Sequence, residues 1–173
     1  AMHGIGLDAQ ETVAMPDSAL RDPVLDPQWG HTLIEAARTP RFACTLLDVA
    51  RQCDAIDEVF AYQADAQGAI QILLSSGQSR GVEERTGAYA QRFFAQDPVL
   101  AERVVMPQSG GFTQQVRAAD LPNGAYRDLC YEQPGFQEKI SVGWRNGACT
   151  TVLSFYRGRQ ARAPANAAQL AVL

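Results

Sequence analysis

Few side chains in this sequence could do covalent or acid–base chemistry, and their spacing gives them little to work with. The only histidines are His3 and His31, and the cysteines are Cys44, Cys53, Cys130 and Cys149, with no C-x-x-C pair among them. Zinc ligation needs four such groups at characteristic spacings, so no metal site is expected. A serine or cysteine nucleophile needs a base, and His31 sits beside Thr32 in the N-terminal region, where a place near a helix start explains it. Glu83 and Glu84, and Asp54 with Asp57 and Glu58, are acids near expected helix ends, where they are ordinarily solvated or complement a helix dipole. The chain has no G-x-S-x-G elbow, phosphate-cradling G-x-x-x-x-G-K-[ST], H-E-x-x-H or G-x-G-x-x-G. No catalytic residue, metal or cofactor is therefore assigned, and the sequence reads as non-enzymatic.

Binding is better provided for. Tyr62, Tyr89, Phe93, Phe94, Tyr126, Trp144, Phe155 and Tyr156 all fall on predicted strands or on the two helices after the first hairpin. Core packing accounts for more than half of them, since burying one aromatic contributes roughly 2 kcal/mol without any ligand. A mainly apolar pocket also needs a few placed polar groups. Asp97, the hydroxyls of Ser141, Thr150 and Ser154, and the phenols of Tyr89 and Tyr126 could supply them. Asp97 precedes Pro98, so turn chemistry is its plainer alternative. The candidate ligand-binding set is Tyr62, Tyr89, Phe93, Asp97, Tyr126, Ser141, Trp144, Thr150 and Ser154.

The elements that must position these residues follow from periodicity. Residues 29–53 read as two helical segments broken at Pro40, with Leu46, Leu47 and Val49 as a buried stripe. Residues 59–64 and 69–76 read as strands joined by a hairpin through Gly68. Residues 84–95 read as a helix ended by Asp97-Pro98, and 106–120 as irregular around Gly110-Gly111. A short helix after Asn123 carries Tyr126, Leu129 and Cys130 and stops at Pro134-Gly135. The last hairpin, 139–145 and 148–157, flanks Asn146-Gly147; a two-residue turn there sets Trp144 opposite Cys149, Val142 opposite Thr151 and Ile140 opposite Leu153. One face then carries Ile140, Val142, Trp144 and Phe155, the other Ser141, Gly143, Thr150, Val152, Ser154 and Tyr156. Neither is charged away from its ends, so helices should cover both faces of an antiparallel sheet. The hydroxyl face is favoured for the pocket because Gly143 leaves room there, with Trp144 kept as a pocket wall.

Composition sets the outer limits. A chain of 173 residues with 46% apolar content can bury one sizeable core. The net charge of -4 and the scattered arginines, with Lys139 the single lysine, leave no footprint for a nucleic-acid backbone. No apolar run approaches a membrane span and no secretory signal is evident, so a cytoplasmic protein is expected. Residues 1–28 read as a remnant of tag removal (Ala1 before Met2) and a flexible segment, and 29–160 as one domain. Residues 161–173 read as the start of a linker or helix that leads onward, since ANAAQLAVL has no closing signal.

Three stretches together carry a family likeness: YAQRFFAQDPVL (89–100), YRDLCYEQPGFQEKISV (126–142) and TVLSFYRGR (151–159). Their order resembles the sensor region of LuxR-type helix-turn-helix transcription regulators over roughly residues 30–160. The resemblance implies an α+β, GAF/PAS-like fold, a central antiparallel sheet with helices on both faces, and a small-molecule effector held between sheet and helices. It also implies a homodimer, and DNA contact only through a separate C-terminal domain. In autoinducer-binding members, a tyrosine-and-tryptophan helix and an aspartate before proline contact an acyl-homoserine lactone. Asp97-Pro98 and the place of Tyr89 and Phe93 carry over and the tryptophan does not, so a different effector, preferably aromatic, is expected. Two other readings stay open: a dimerisation or interaction module without ligand, and a redox sensor using Cys130 and Cys149.

Overall fold

The computed structural model describes residues 26–99, 109–158 and 170–173. Of the two outer segments expected from sequence, residues 1–25 and 161–169 lie outside the described residues.

The chain opens with helix α1, Pro27–Ala36. It starts two residues before the sequence-based segment because Asp26 caps it, its carboxylate accepting from the Gln28 N–H at 2.8 Å, and Pro27 supplies a preset φ at the first helical position. Helix α2, Phe42–Cys53, buries Leu46, Leu47, Val49 and Ala50, the expected stripe. Strands β1 (Ile56–Ala64), β2 (Ile70–Gly77), β3 (Ser109–Arg117), β4 (Phe136–Asn146) and β5 (Cys149–Gly158) form one sheet in the order β2-β1-β5-β4-β3. Every neighbouring pair is antiparallel.

Two sequence expectations about the sheet are corrected. Residues 109–117, expected to be irregular, form the edge strand β3. Its glycines serve close packing: a Cβ on Gly111 would come within 3.2 Å of the Gly143 carbonyl oxygen on β4. Pairing with β4 thus overrides the weak local preference of S-G-G. In the last hairpin the turn is Gly147-Ala148, so Asn146 faces Cys149, Trp144 faces Thr151, Val142 faces Leu153 and Ile140 faces Phe155. Gly147 alone takes positive φ, 59°, which suits a turn with glycine in its first central place. The register moves by two residues, an even number, so the face assignments survive.

One face of the sheet packs Ile56, Val59, Ile140 and Phe155 against α1, α2 and Leu170. The other packs Phe60, Tyr62, Val152 and Tyr156 against a layer that begins with helix α3, Val82–Ala88. Helices cover both faces, as expected. Among the described residues no helix is long and apolar enough to cross a membrane.

Candidate functional site

The expected helix over 84–95 is regular only at its start. After α3 the backbone widens into a π turn, Tyr89–Phe93, in which the Phe94 N–H reaches the Tyr89 carbonyl, and then tightens into a 3-10 turn, Phe94–Gln96. The same happens after helix α4, Ala125–Arg127, which runs into a π turn, Asp128–Glu132, with the Gln133 N–H on the Asp128 carbonyl at 2.9 Å. An extra residue per turn places side chains five apart above one another, where an α-helix would place those four apart. Tyr89 and Phe94 therefore meet edge to face with centroids 6.2 Å apart, and Tyr126 and Tyr131 at 5.8 Å. Both turns thereby aim adjacent residues at the sheet: Phe93 with Phe94, and Cys130 with Tyr131, are all buried.

The result is a continuous aromatic layer. Tyr62 contacts Tyr89 and Phe94, Tyr89 contacts Phe60 and Tyr126, Phe93 contacts Tyr126, and Tyr131 contacts Tyr156, which stacks on Phe136 at 5.0 Å.

An ion pair is buried within it. The Lys139 ammonium donates to the Asp97 carboxylate, and the two side chains are 1% and 0% exposed. Asp97 also accepts from the Tyr89 hydroxyl at 2.8 Å and from the Val99 N–H at 3.0 Å, and the Tyr89 oxygen lies 3.3 Å from that of Tyr62. Lys139 stands 5.9 Å from the centre of the Tyr89 ring, a weak cation–π contact. Burial pushes the Asp97 carboxyl up, but the Lys139 charge, then the Val99 N–H and the Tyr89 hydroxyl, hold it below the usual carboxylate value. Burial lowers the Lys139 ammonium, yet Asp97 more than offsets this and its pKa ends raised. Burial raises Tyr89, Tyr126, Tyr131 and Tyr156, keeping all four phenols protonated.

These states decide the chemistry. A lysine held as a cation is no nucleophile. The Cys130 thiol, pushed up to about 12 mainly by burial, is no thiolate. His31 lies on the exposed surface of α1, 3.2 Å from Glu35. What the layer offers is hydrogen bonding and ring faces.

Of the residues singled out from sequence, Tyr62, Tyr89, Phe93, Asp97 and Tyr126 come together in this layer. Ser141 and Ser154 face it from β4 and β5, their hydroxyls 3.0 Å apart, and Thr150 is buried on β5. Trp144 stands apart: it projects from the face of β4 that carries Ile140 and Val142 and is 46% exposed. The room expected beside Gly143 is taken by Phe112, whose ring would lie 2.2 Å from a Cβ there.

Sequence reasoning passed over Lys139 and Tyr131, and its reading of Glu58 as an acid near a helix end and of Arg85 as a scattered surface arginine is corrected: Glu58 lies on β1, and both are buried because each neutralises the other. Being the single lysine was a signal for Lys139, since a lysine is almost never fully buried unless paired. Glu58 and Arg85 form a second buried ion pair at the edge of the layer. Beside this second pair lies a cavity of about 10 Å³, lined by Glu58, Phe60, Arg85, Thr86, Tyr89, Cys130 and Tyr156, the space one water needs. The proposed thiol pair does not form: Cys130 belongs to the aromatic layer, whereas Cys149 is on β5 beside the turn, seven residues from Tyr156, and both thiols are free. Seven strand residues span about 23 Å, far beyond the reach of a disulfide.

No protein-family model matches the sequence, and no curated protein matches it. Solved structures do match in fold. The VqsR ligand-binding domain from Pseudomonas aeruginosa superposes with a TM-score of 0.60 at 18% identity, covering 84% of each chain. The N-acylhomoserine lactone-dependent LuxR-family transcription factor CepR2 from Burkholderia cenocepacia gives 0.58 at 15% identity, covering 81% of this chain and 78% of that one. The fold is thus that of LuxR-type ligand-binding domains, α+β with an antiparallel sheet.

Proposed function

We propose that this domain is the non-enzymatic, small-molecule-sensing part of a LuxR-type transcription regulator, with its effector held against the aromatic layer between sheet and helices. The observation that carries this reading is the Tyr89–Asp97–Lys139 cluster. A buried ion pair contributes little net stability compared with apolar residues of the same shape. Its presence among stacked tyrosines is what a site for orienting a ligand requires, and a core has no need of it. Tyr62, Phe93 and Tyr126 supply ring faces, and Ser141, Thr150 and Ser154 the hydroxyl floor; Trp144, on the opposite face, is left out. The fold likeness to VqsR and CepR2 supports an effector that biases a homodimer and, through it, a linked helix-turn-helix. Lys139 already neutralises Asp97, so the effector differs from one that relies on a free carboxylate.

A thermal-shift screen of metabolites, lactones and aromatic acids tests this. At a hundredfold excess over Kd a ligand stabilises by about 2.7 kcal/mol, roughly 5–11 °C at this chain length. The shift should shrink in Tyr89→Phe. If no compound moves the melting point, the second reading gains: an interaction module whose chamber its own tyrosines fill. The 10 Å³ cavity is the observation that favours it. Self-association with no ligand response is the result it expects.

A further inference from the structure

The two edges of the sheet are guarded differently. β3 exposes Gly110, Gly111, Thr113, Gln115 and Arg117, which are small, polar or charged. β2, at the other end of the sheet, exposes Ile72 at 40% and Leu73 at 48%. Residues 66–79, which contain the whole of β2, carry no charge and no proline. Soluble proteins block such an edge with charges, prolines or a covering element, because its outward N–H and C=O groups accept an extended chain. Among the described residues no strand pairs with the outer side of β2.

The register within the sheet says what fits there. Ile70, Ile72 and Ser75 stand opposite Ala64, Tyr62 and Phe60 and share the aromatic face, whereas Gln71 and Leu74 stand opposite Gln63 and Ala61 on the α1/α2 face. Leu73 is the extra residue of a bulge and has no partner on β1. Residues directly opposite in an antiparallel pair must share a face, so a regular strand meets its own copy with one residue facing itself. The bulge shifts that rule by one. Ile70 then faces Ser75 of the copy and Gln71 faces Leu74, each pair on one face, and Ile72 meets Leu73, the two exposed apolar side chains of the strand. One strand thus supplies both sides and the contact closes on itself. β2 against β3 of a copy would leave a fresh β2 edge at every step and never close. α2 and α3 pack on the two faces of β2, and Ser76 Oγ donates to Cys44 Sγ of α2 at 3.6 Å. A second copy joined here brings its own α2 and α3 alongside, widening the contact beyond the strand toward the roughly 1,200 Å² of a specific interface.

We infer that β2 is a self-association edge: two copies of this chain pair antiparallel through Ile70–Ser75, about a two-fold axis between Ile72 and Leu73, and their sheets become one. The inference names the surface on which the homodimer of the sensor reading closes, and takes nothing else from that reading.

The test is sedimentation equilibrium of the chain from low to high micromolar concentration, with amide hydrogen exchange at both ends of that range. The expected result is a mass that stops at twice that of the chain. Protection of the β2 amides that point away from β1 should rise with concentration, while β3 amides stay unchanged. Leu73→Lys sets two ammonium groups against each other at the axis and should weaken the dimer roughly a hundredfold. Thr113→Lys, at an exposed position on β3, should leave it intact. Should Leu73→Lys fail to fold, the exchange pattern of the unaltered chain decides alone. A monomer throughout the range, a dimer whose β2 amides stay unprotected, a mass that grows without limit, or a Leu73→Lys dimer of unchanged strength each overturns the inference. None of these bears on effector binding, which falls only if the melting-point screen is silent.

Discussion

Replacing Lys139 by Met probes the centre of the aromatic layer most directly. Both members of the Asp97–Lys139 pair are essentially without solvent contact, so removing the ammonium leaves a carboxylate with no water and no counter-charge. The Tyr89 hydroxyl and Val99 N–H remain as donors, but two neutral hydrogen bonds do not replace a cation. Breaking a buried pair from one side costs about 3–5 kcal/mol, which lowers the melting point by roughly 6–20 °C at this length. Asp97→Leu combined with Lys139→Met removes both charges; Tyr89 keeps Tyr62 as a hydroxyl neighbour, and at least half of the lost stability should return. The pH response carries a sign that a volume effect would not. In the native chain Asp97 titrates below its ordinary value, so its stabilising share is complete above about pH 3.9 and disappears only as pH falls through the folded-state value. Without Lys139, burial dominates and the folded-state value rises above the unfolded one. The single variant is then most destabilised at high pH, and its deficit should narrow from about pH 8 to 5 as Asp97 takes up a proton. Urea unfolding of the three proteins across that range measures this. A single variant as stable as the double, or a deficit independent of pH, would show that the two groups are not coupled as a buried pair.

Three further outcomes follow from packing and exposure. Gly143→Ala forces a Cβ into the Phe112 ring; the partly buried ring can turn aside, so a loss of about 1–3 kcal/mol is expected by denaturant titration. Arg157 joins Asp54 after α2 to Glu138 on β4 and is 3% exposed; Arg157→Met should cost about 3–5 kcal/mol in the same titration, more than Arg51→Met, whose partner Asp48 is largely exposed. In thiol labelling, exposed Cys44 should react first and buried Cys130, raised to about 12, only on unfolding; rapid native-state reaction at Cys130 would reopen the redox reading.

The fold was legible where burial and periodicity agree. The stripe on α2, the β1–β2 hairpin and the two faces of β4 and β5 all follow from which positions are apolar. The hairpin register was misread because Asn146-Gly147 is the commonest turn pair, whereas the chain uses Gly147 as the first turn residue and lets Asn146 pair with Cys149. β3 was invisible because an edge strand of Ser, Gly and Gln takes its structure from its partner.

The site divides along a similar line, and the π turns are the reason. An α-helical period links Tyr126 to Leu129 and Cys130; five-residue spacing links it to Tyr131, which sequence reasoning left out although it is fully buried and joins Tyr126 to Tyr156. π turns recur at functional sites in other helices, and here both fall in the layer opposite the sheet's hydroxyl face. Asp97 was found through its proline, but its partner lies 42 residues later on another element, and no local pattern joins the two. What did point to Lys139 was scarcity: in a chain that otherwise uses arginine for every cation, the single lysine lies on a strand, where the fold buries it between Val116 and Tyr156 of the two neighbouring strands. Guanidinium could not substitute there. It is broader and holds its donors in a fixed plane, whereas an ammonium at the end of a flexible stem can meet one carboxylate in a space closed by tyrosines. Lys139→Arg should therefore overpack the layer and fail to restore the native stability that an arginine at a surface position would leave intact.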